Sequence, residues 1–142
     1  MVCFLFGHRD APESIAPRLE RAVGEHYRHY GLRTFIVGHY GDFDRLSRAA
    51  LLRVKRVYPD MRLYMLIPYH PAERPVEAPE GFDGTYYPPI EGIPRKYAIA
   101  HANRYLAQRA SHIICYVRRC GNARNLLELA EKRNIPVVNL AE

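Results

Sequence analysis

Met1-Val2-Cys3-Phe4-Leu5-Phe6-Gly7-His8-Arg9-Asp10 is an apolar run that stops at a glycine and turns polar within one residue. Val2 to Phe6 show none of the alternation of a half-exposed strand, so the pattern predicts a strand buried on both faces, as in a parallel sheet. Parallel strands need crossovers, and the following sequence supplies helices for them. Ser14 is placed to cap the first, Pro17 is tolerated in its first turn, and Ile15, Leu19, Val23, Tyr27 and Tyr30 form one stripe that ends at Gly31. Thr34 to Val37 reads as a second strand. Phe43, Leu46, Ala50, Val54 and Val57 then repeat at helical spacing, with Asp42 as the expected cap and Tyr58-Pro59 as the stop.

Arg62 to Ile67 is the third expected strand. After it, Pro68 to Pro94 holds most of the eleven prolines and little periodicity, and reads as a long ordered functional loop between regular α/β units. Arg95 to Ala110 is an alanine-rich helix with Ile99, Ala102, Tyr105 and Leu106 on its apolar stripe. His112 to Val117 is the fourth strand, Arg118 to Asn122 a short loop, and Ala123, Leu126, Leu127 and Ala130 mark the next helix before a fifth strand over Pro136 to Leu140. The expectation is a Rossmann-like three-layer α/β domain spanning 1–142, its five parallel strands in the order 3-2-1-4-5. Ligands of such sheets bind beyond the carboxyl ends of the strands where the winding reverses, here between strands 1 and 4.

Composition narrows the function. A chain of 142 residues, 48% hydrophobic and 25% charged, builds one ordinary core and is not disordered as a whole. No apolar run reaches the roughly 18 residues of a membrane span, and the start lacks the form of a signal peptide, so a cytoplasmic protein without a membrane partner is expected. Cys3, Cys115 and Cys120 are odd in number and lack metal-type spacing, which predicts reduced thiols. Seven histidines form no ligand cluster, and neither a metal nor a cofactor is expected. The net charge of +6 permits an anionic partner, a phosphate or a nucleic acid, though a solvated basic surface has the same composition.

Three loops at the expected switch point carry chemistry. Gly7-His8-Arg9-Asp10 brings together a glycine, an imidazole, a guanidinium fork suited to phosphate, and a carboxylate that either orients the fork or caps the next turn. Gly38-His39-Tyr40-Gly41-Asp42-Phe43-Asp44 is a glycine-spaced strand-to-helix turn. Gly38, Tyr40, Gly41 and Asp44 are candidate ligand-binding residues on a backbone that suits an anion, although Asp42 and Asp44 put negative charge there and commonly serve as caps. Arg118, Arg119 and Arg124 surround the helix start at Cys120-Gly121-Asn122, an anion site by charge and by helix dipole. Glu128 lies two turns farther on and lines the pocket only if its helix face turns inward.

The loop Gly7 to Asp10, the turn Gly38 to Asp44, Tyr58-Pro59, Arg95 to Ile99 running through Asn103-Arg104, and Cys115-Tyr116-Val117 together resemble the SLOG superfamily over essentially the whole chain. That group contains the Smf/DprA DNA-processing proteins and the LOG phosphoribohydrolases, and the resemblance is strongest to its short bacterial members. It implies a pocket for a nucleotide or nucleotide derivative at the carboxyl end of the sheet, and a homodimer. In the phosphoribohydrolases a PGGxGTxxE motif binds phosphate and supplies a glutamate, and an arginine of the preceding helix assists. Here Gly121 matches the first glycine and Glu128 the glutamate, while Asn122, Arg124 and Asn125 replace the second glycine, the third glycine and the threonine. The helical arginine is replaced by Ala102, with Asn103 kept and Arg104 one residue later.

The leading expectation is therefore binding of a nucleotide-type small molecule, with Arg9, Arg118, Arg119 and Arg124 on its phosphate and Tyr40 against a base. One alternative is a phosphoribohydrolase-like or deoxyribosyltransferase-like N-glycosidase using Glu128. Another, by analogy with DprA, is single-stranded DNA binding through Arg45, Arg48, Lys55 and Arg56 on the second long helix.

Overall fold

The computed structural model describes residues 1–142. Strand β1 (Val2–Gly7) runs parallel between β2 (Thr34–Val37) and β5 (His112–Tyr116), pairing Leu5 with Val37 on one side and with Ile114 on the other. Beyond β2 lies β3 (Arg62–Leu66), and beyond β5 lies β6 (Val137–Asn139). A sixth strand, β4 (Gly84–Tyr86), pairs parallel with β3 and closes the other edge, giving the order β4-β3-β2-β1-β5-β6.

The sheet thus has six strands rather than the five expected. Within the order, β3-β2-β1-β5-β6 are the five anticipated from sequence, and β4 arises inside the proline-rich stretch. The short ladder of β4 is anchored in front by Asp83. The Asp83 carboxylate accepts from the Leu63 N–H at 2.8 Å and from the Lys55 ammonium at 2.7 Å, while the Asp83 N–H donates to the Leu63 carbonyl at 2.8 Å.

Alternating side chains of each buried strand feed two cores. Cys3 and Leu5 of β1 join α1 (Ala16–Tyr30) and α2 (Asp42–Val57) on one face, where Leu19, Val23, Phe43 and Leu51 are fully buried. Phe4 and Phe6 join α3 (Arg95–Ala107) and α4 (Asn122–Lys132) on the other, against Leu106 and Leu127. Covering on both faces is what an unbroken apolar strand requires. Cys3 and Cys115 lie fully buried on the neighbouring strands β1 and β5, whereas Cys120 is exposed.

The helix starts differ from expectation. Ser14 lies in a 3-10 turn, Glu13–Ile15, that precedes α1, and it caps nothing. Asp42 is the first residue of α2 behind Gly41, also without a side-chain cap. The C-terminal stop is as read: Gly31 takes the left-handed conformation, φ 68°, that glycine adopts without steric cost. Helix α3 ends at Ala107, a turn earlier than its alanine content suggests.

Candidate functional site

The loops that leave β1, β2 and β5 at their carboxyl ends are bonded to one another before any ligand is considered. The Asp42 N–H donates to the Arg9 carbonyl at 2.7 Å. That approach requires Gly41, whose φ is 93° and where a Cβ would stand 2.6 Å from the Arg9 Cα. A Cβ at Gly7 would stand 2.6 Å from the Phe43 ring, and one at Gly38 2.7 Å from the Asp44 carboxylate. These three glycines allow backbone and side chains to close together. Gly121, φ 138°, has nothing within 4 Å of the corresponding position, so the start of α4 faces open space.

His8 ties the first loop to the third. Its N–H donates to the Tyr116 carbonyl at 3.2 Å, and its ring Nε2 accepts from the Arg118 N–H at 3.0 Å. An accepting Nε2 places the ring proton on Nδ1 and keeps the imidazole neutral. Burial lowers the His8 pKa first, with the Arg119 charge next and Arg118 and Arg124 adding to it. His8 is only 7% exposed. It acts as a strut between loops rather than as a proton carrier. Arg119 reaches back to Asp10 at 2.7 Å, and this hydrogen bond holds the Asp10 carboxyl below the usual carboxylate range.

A cavity of about 290 Å³ opens among these loops. Of the residues singled out from sequence, Gly7, His8, Arg9, Gly38, Tyr40, Asp44, Asn103, Arg119, Gly121 and Asn122 line it. Asp10, Gly41, Arg104, Arg118, Arg124 and Glu128 do not. Asp10 and Gly41 stand just behind the wall, bonding or packing against residues that form it. Arg104 and Glu128 are exposed on the outer faces of α3 and α4, so the proposed acid/base carboxylate is turned away from the cavity. Ala102, where the resemblance would place an arginine, is 1% exposed and flush with the wall.

Sequence reasoning missed the apolar half of the cavity. Phe6, Leu66, Pro68, Ile99, Ala123 and Leu126 line it together with the thiol-bearing Cys120. All but Pro68 and Cys120 read as ordinary core positions, and only their place at the carboxyl ends of strands or on the inner faces of α3 and α4 distinguishes them. The result is a half-polar, half-apolar chamber, the usual character of a small-molecule site.

Charge is distributed unevenly around it. The Arg9 guanidinium makes no ion pair and lies 5.9 Å from the centre of the Tyr40 ring, which in turn packs beside His39 at 4.2 Å. Asp44 sits below, its Oδ2 accepting from the Tyr40 N–H at 3.0 Å. Burial pushes its carboxyl up to about 7, against the opposing pull of that bond and of Arg48 and Arg9. Arg48 does not neutralise it: it donates instead to the Gly38 carbonyl at 2.9 Å.

The outer face of α2 is different. Arg45 pairs with Glu13 and, at 3.5 Å, with Asp42; Lys55 pairs with Asp83 at 2.7 Å. Arg48 is turned inward, which leaves Arg56 as the sole exposed cation of the four without an internal partner. No group of three or more His, Cys, Asp or Glu side chains is arranged to hold a metal ion, and no helix is long and apolar enough to cross a membrane.

No family model matches the chain, and no curated protein matches its sequence. In three dimensions it is similar to DNA processing protein A from Helicobacter pylori, a structure described for its single-stranded DNA binding mode. The TM-score is 0.61 at 14% identity, over 96% of this chain and 63% of that one. At that identity the likeness is one of fold: a Rossmann-like α/β architecture, with a parallel sheet flanked by helices, is shared by a protein that this chain spans for less than two thirds of its length.

Proposed function

We propose that this chain is a small SLOG-type protein that binds a nucleotide or nucleotide-derived ligand in the cavity between the β1, β2 and β5 loops. The observation that carries the reading is the pairing of an unneutralised guanidinium, Arg9, with an apolar wall across a chamber of about 290 Å³ at the switch point of a parallel sheet. Arg119 and the open start of α4 at Gly121 and Asn122 supply further positive potential for a phosphate. Phe6, Leu66 and Ile99 give a base or sugar its apolar bed, and Tyr40 offers a ring face. Arg118 and Arg124 act from outside the wall, through the field they share with His8.

The reading is tested by a thermal-shift screen across nucleotides, cyclic nucleotides and ADP-ribose derivatives, followed by crystallography of a hit. A ligand of the folded state raises the melting temperature by mass action. Density outside this cavity, or no shift with any member of the panel, counts against it. Homodimerisation, implied by the resemblance, is checked separately by sedimentation.

A second reading, single-stranded DNA binding, is favoured by one observation, the fold shared with DNA processing protein A. The α2 surface supports it poorly, because Arg45 and Lys55 are already paired. Binding by that surface would fall with added salt by about 0.7 log unit per neutralised phosphate for each log of salt. N-glycosidic cleavage is supported least: Glu128 faces solvent and Ala102 carries no charge.

A further inference from the structure

The cavity contains one carboxylate, Asp44, and the protein satisfies only half of it. Oδ2 accepts from the Tyr40 N–H at 3.0 Å, and a Cβ at residue 38 would stand 2.7 Å from it. No group of the protein donates to Oδ1. Nor is that oxygen sealed off: the buried side-chain polar atoms without a partner are Ser47 Oγ and His112 Nδ1, and Asp44 forms part of the cavity wall. Two cations face the carboxylate, Arg48 from its own helix and Arg9 from the β1 loop, and neither forms an ion pair with it. From the β2 loop it meets the Tyr40 backbone, and from α3, across the cavity, the uncharged Asn103.

An acceptor held rigidly at one atom and left open at the other is a recognition element in search of a donor. We infer that Asp44 reads the uncharged end of the ligand, its Oδ1 accepting a hydrogen bond from an N–H or O–H of the ligand's sugar or base. The inference rests on the cavity being a nucleotide site. Within it, Arg9 and Arg119 take the anionic end and Asp44 selects against phosphates that carry no donor. Asp44 is also where the site senses pH, because only the ionised carboxylate is a pure acceptor. A bound donor favours ionisation, so affinity rises with pH as Asp44 loses its proton.

The test is calorimetric titration of AMP, 2′,3′-dideoxy-AMP and GMP into the wild-type chain and into Asp44→Asn, from about pH 6 to pH 8. Asparagine keeps an oxygen for the Tyr40 N–H, and circular dichroism checks the fold. A carboxyl titrating at about 7 is ionised in about a tenth of molecules at the lower pH and about nine tenths at the upper. Wild-type affinity for AMP or GMP should therefore rise about ten-fold more than that of Asp44→Asn over this range. The comparison cancels the phosphate's own ionisation. Loss of the excess with 2′,3′-dideoxy-AMP assigns the donor to the sugar; its retention assigns it to the base. Parallel pH profiles in the two proteins, with binding still lost in Arg119→Ala, overturn the role of Asp44 and leave the cavity standing. Absence of binding, or binding indifferent to Arg119→Ala, overturns the cavity and this inference together.

Discussion

Two regions of this molecule are rich in arginine, and they use it in opposite ways. Along the outer face of α2, the cations other than Arg56 are tied to Glu13, Asp42 and Asp83 or turned inward to a carbonyl, so the surface is basic in sequence but largely neutralised in its contacts. At the carboxyl end of the sheet, Arg9 has no carboxylate partner and Arg119 shares one exposed carboxylate, Asp10. Counting charges in a sequence does not separate the two regions. What sets Arg9 apart is that the fold has provided it with no paired anion.

The largest effect expected from breaking the cavity side is on folding. Gly41→Ala forces a Cβ to 2.6 Å from the Arg9 Cα at a backbone φ of 93°. Left-handed strain and the clash together should cost about 2–5 kcal/mol in urea unfolding. An alanine variant as stable as the wild type would show that the β1 and β2 loops are not locked together.

Next in size is a pH effect with two opposing limbs. Asp44 holds its proton in the fold up to about 7, whereas the unfolded chain releases it near 3.8, so its contribution to stability falls as pH rises between these values. The full shift corresponds to at most about 4 kcal/mol, and partial solvent access brings it to about 1–3. His8, His26, His39 and His112 act the other way: burial lowers each pKa, so stability is lost as pH falls below about 6.5. Asp44→Asn should be the more stable protein at pH 8, and its stability should climb more steeply than the wild type's from about pH 5 to pH 7. Equal stability at pH 8 would mean that Asp44 is no more confined than a surface carboxylate.

The thiols sharpen the comparison without any mutation. Burial pushes the Cys115 thiol up to about 12 and raises that of Cys3 as well, so both should resist a thiol reagent in the native state. Cys120 lies exposed on the cavity wall and should label first. A nucleotide in the cavity should slow that labelling several-fold; unchanged labelling at saturation would put the ligand elsewhere. The smallest effect is expected from Arg45→Ala, whose ion pairs are solvent-exposed and contribute at most about 1 kcal/mol to stability.

How much of this was legible in sequence depends on what each residue's signal encodes. The order of five strands followed from short apolar runs alternating with amphipathic helices, because burial on both faces leaves a pattern in composition. Strand β4 left none: Gly84–Tyr86 is three residues long, and the Asp83 contacts with Leu63 and Lys55 that anchor it span 20 and 28 residues of sequence, too remote for any local pattern. The loops of the cavity were visible through their glycines and charges. Its apolar wall was not, since Phe6, Leu66 and Leu126 are indistinguishable from core until their position at the sheet's end is known. That Glu128 and Arg104 stand outside the cavity wall was illegible for a related reason: helical spacing gives relative angles, and only packing of α3 and α4 on the sheet decides which angle faces inward.

The central claim is that Arg9 and Arg119 of the cavity, not the basic face of α2, hold an anionic ligand. It is tested most directly by calorimetric titration of AMP into four single variants. Arg9→Ala and Arg119→Ala should each weaken binding by about ten-fold or more, as expected for a charge-assisted hydrogen bond of about 1.5–3 kcal/mol. Arg45→Ala and Arg56→Ala should leave it within about two-fold of wild type. Binding that is indifferent to Arg9 and Arg119 but collapses on loss of Arg45 or Arg56 would contradict the account and move the anion to α2.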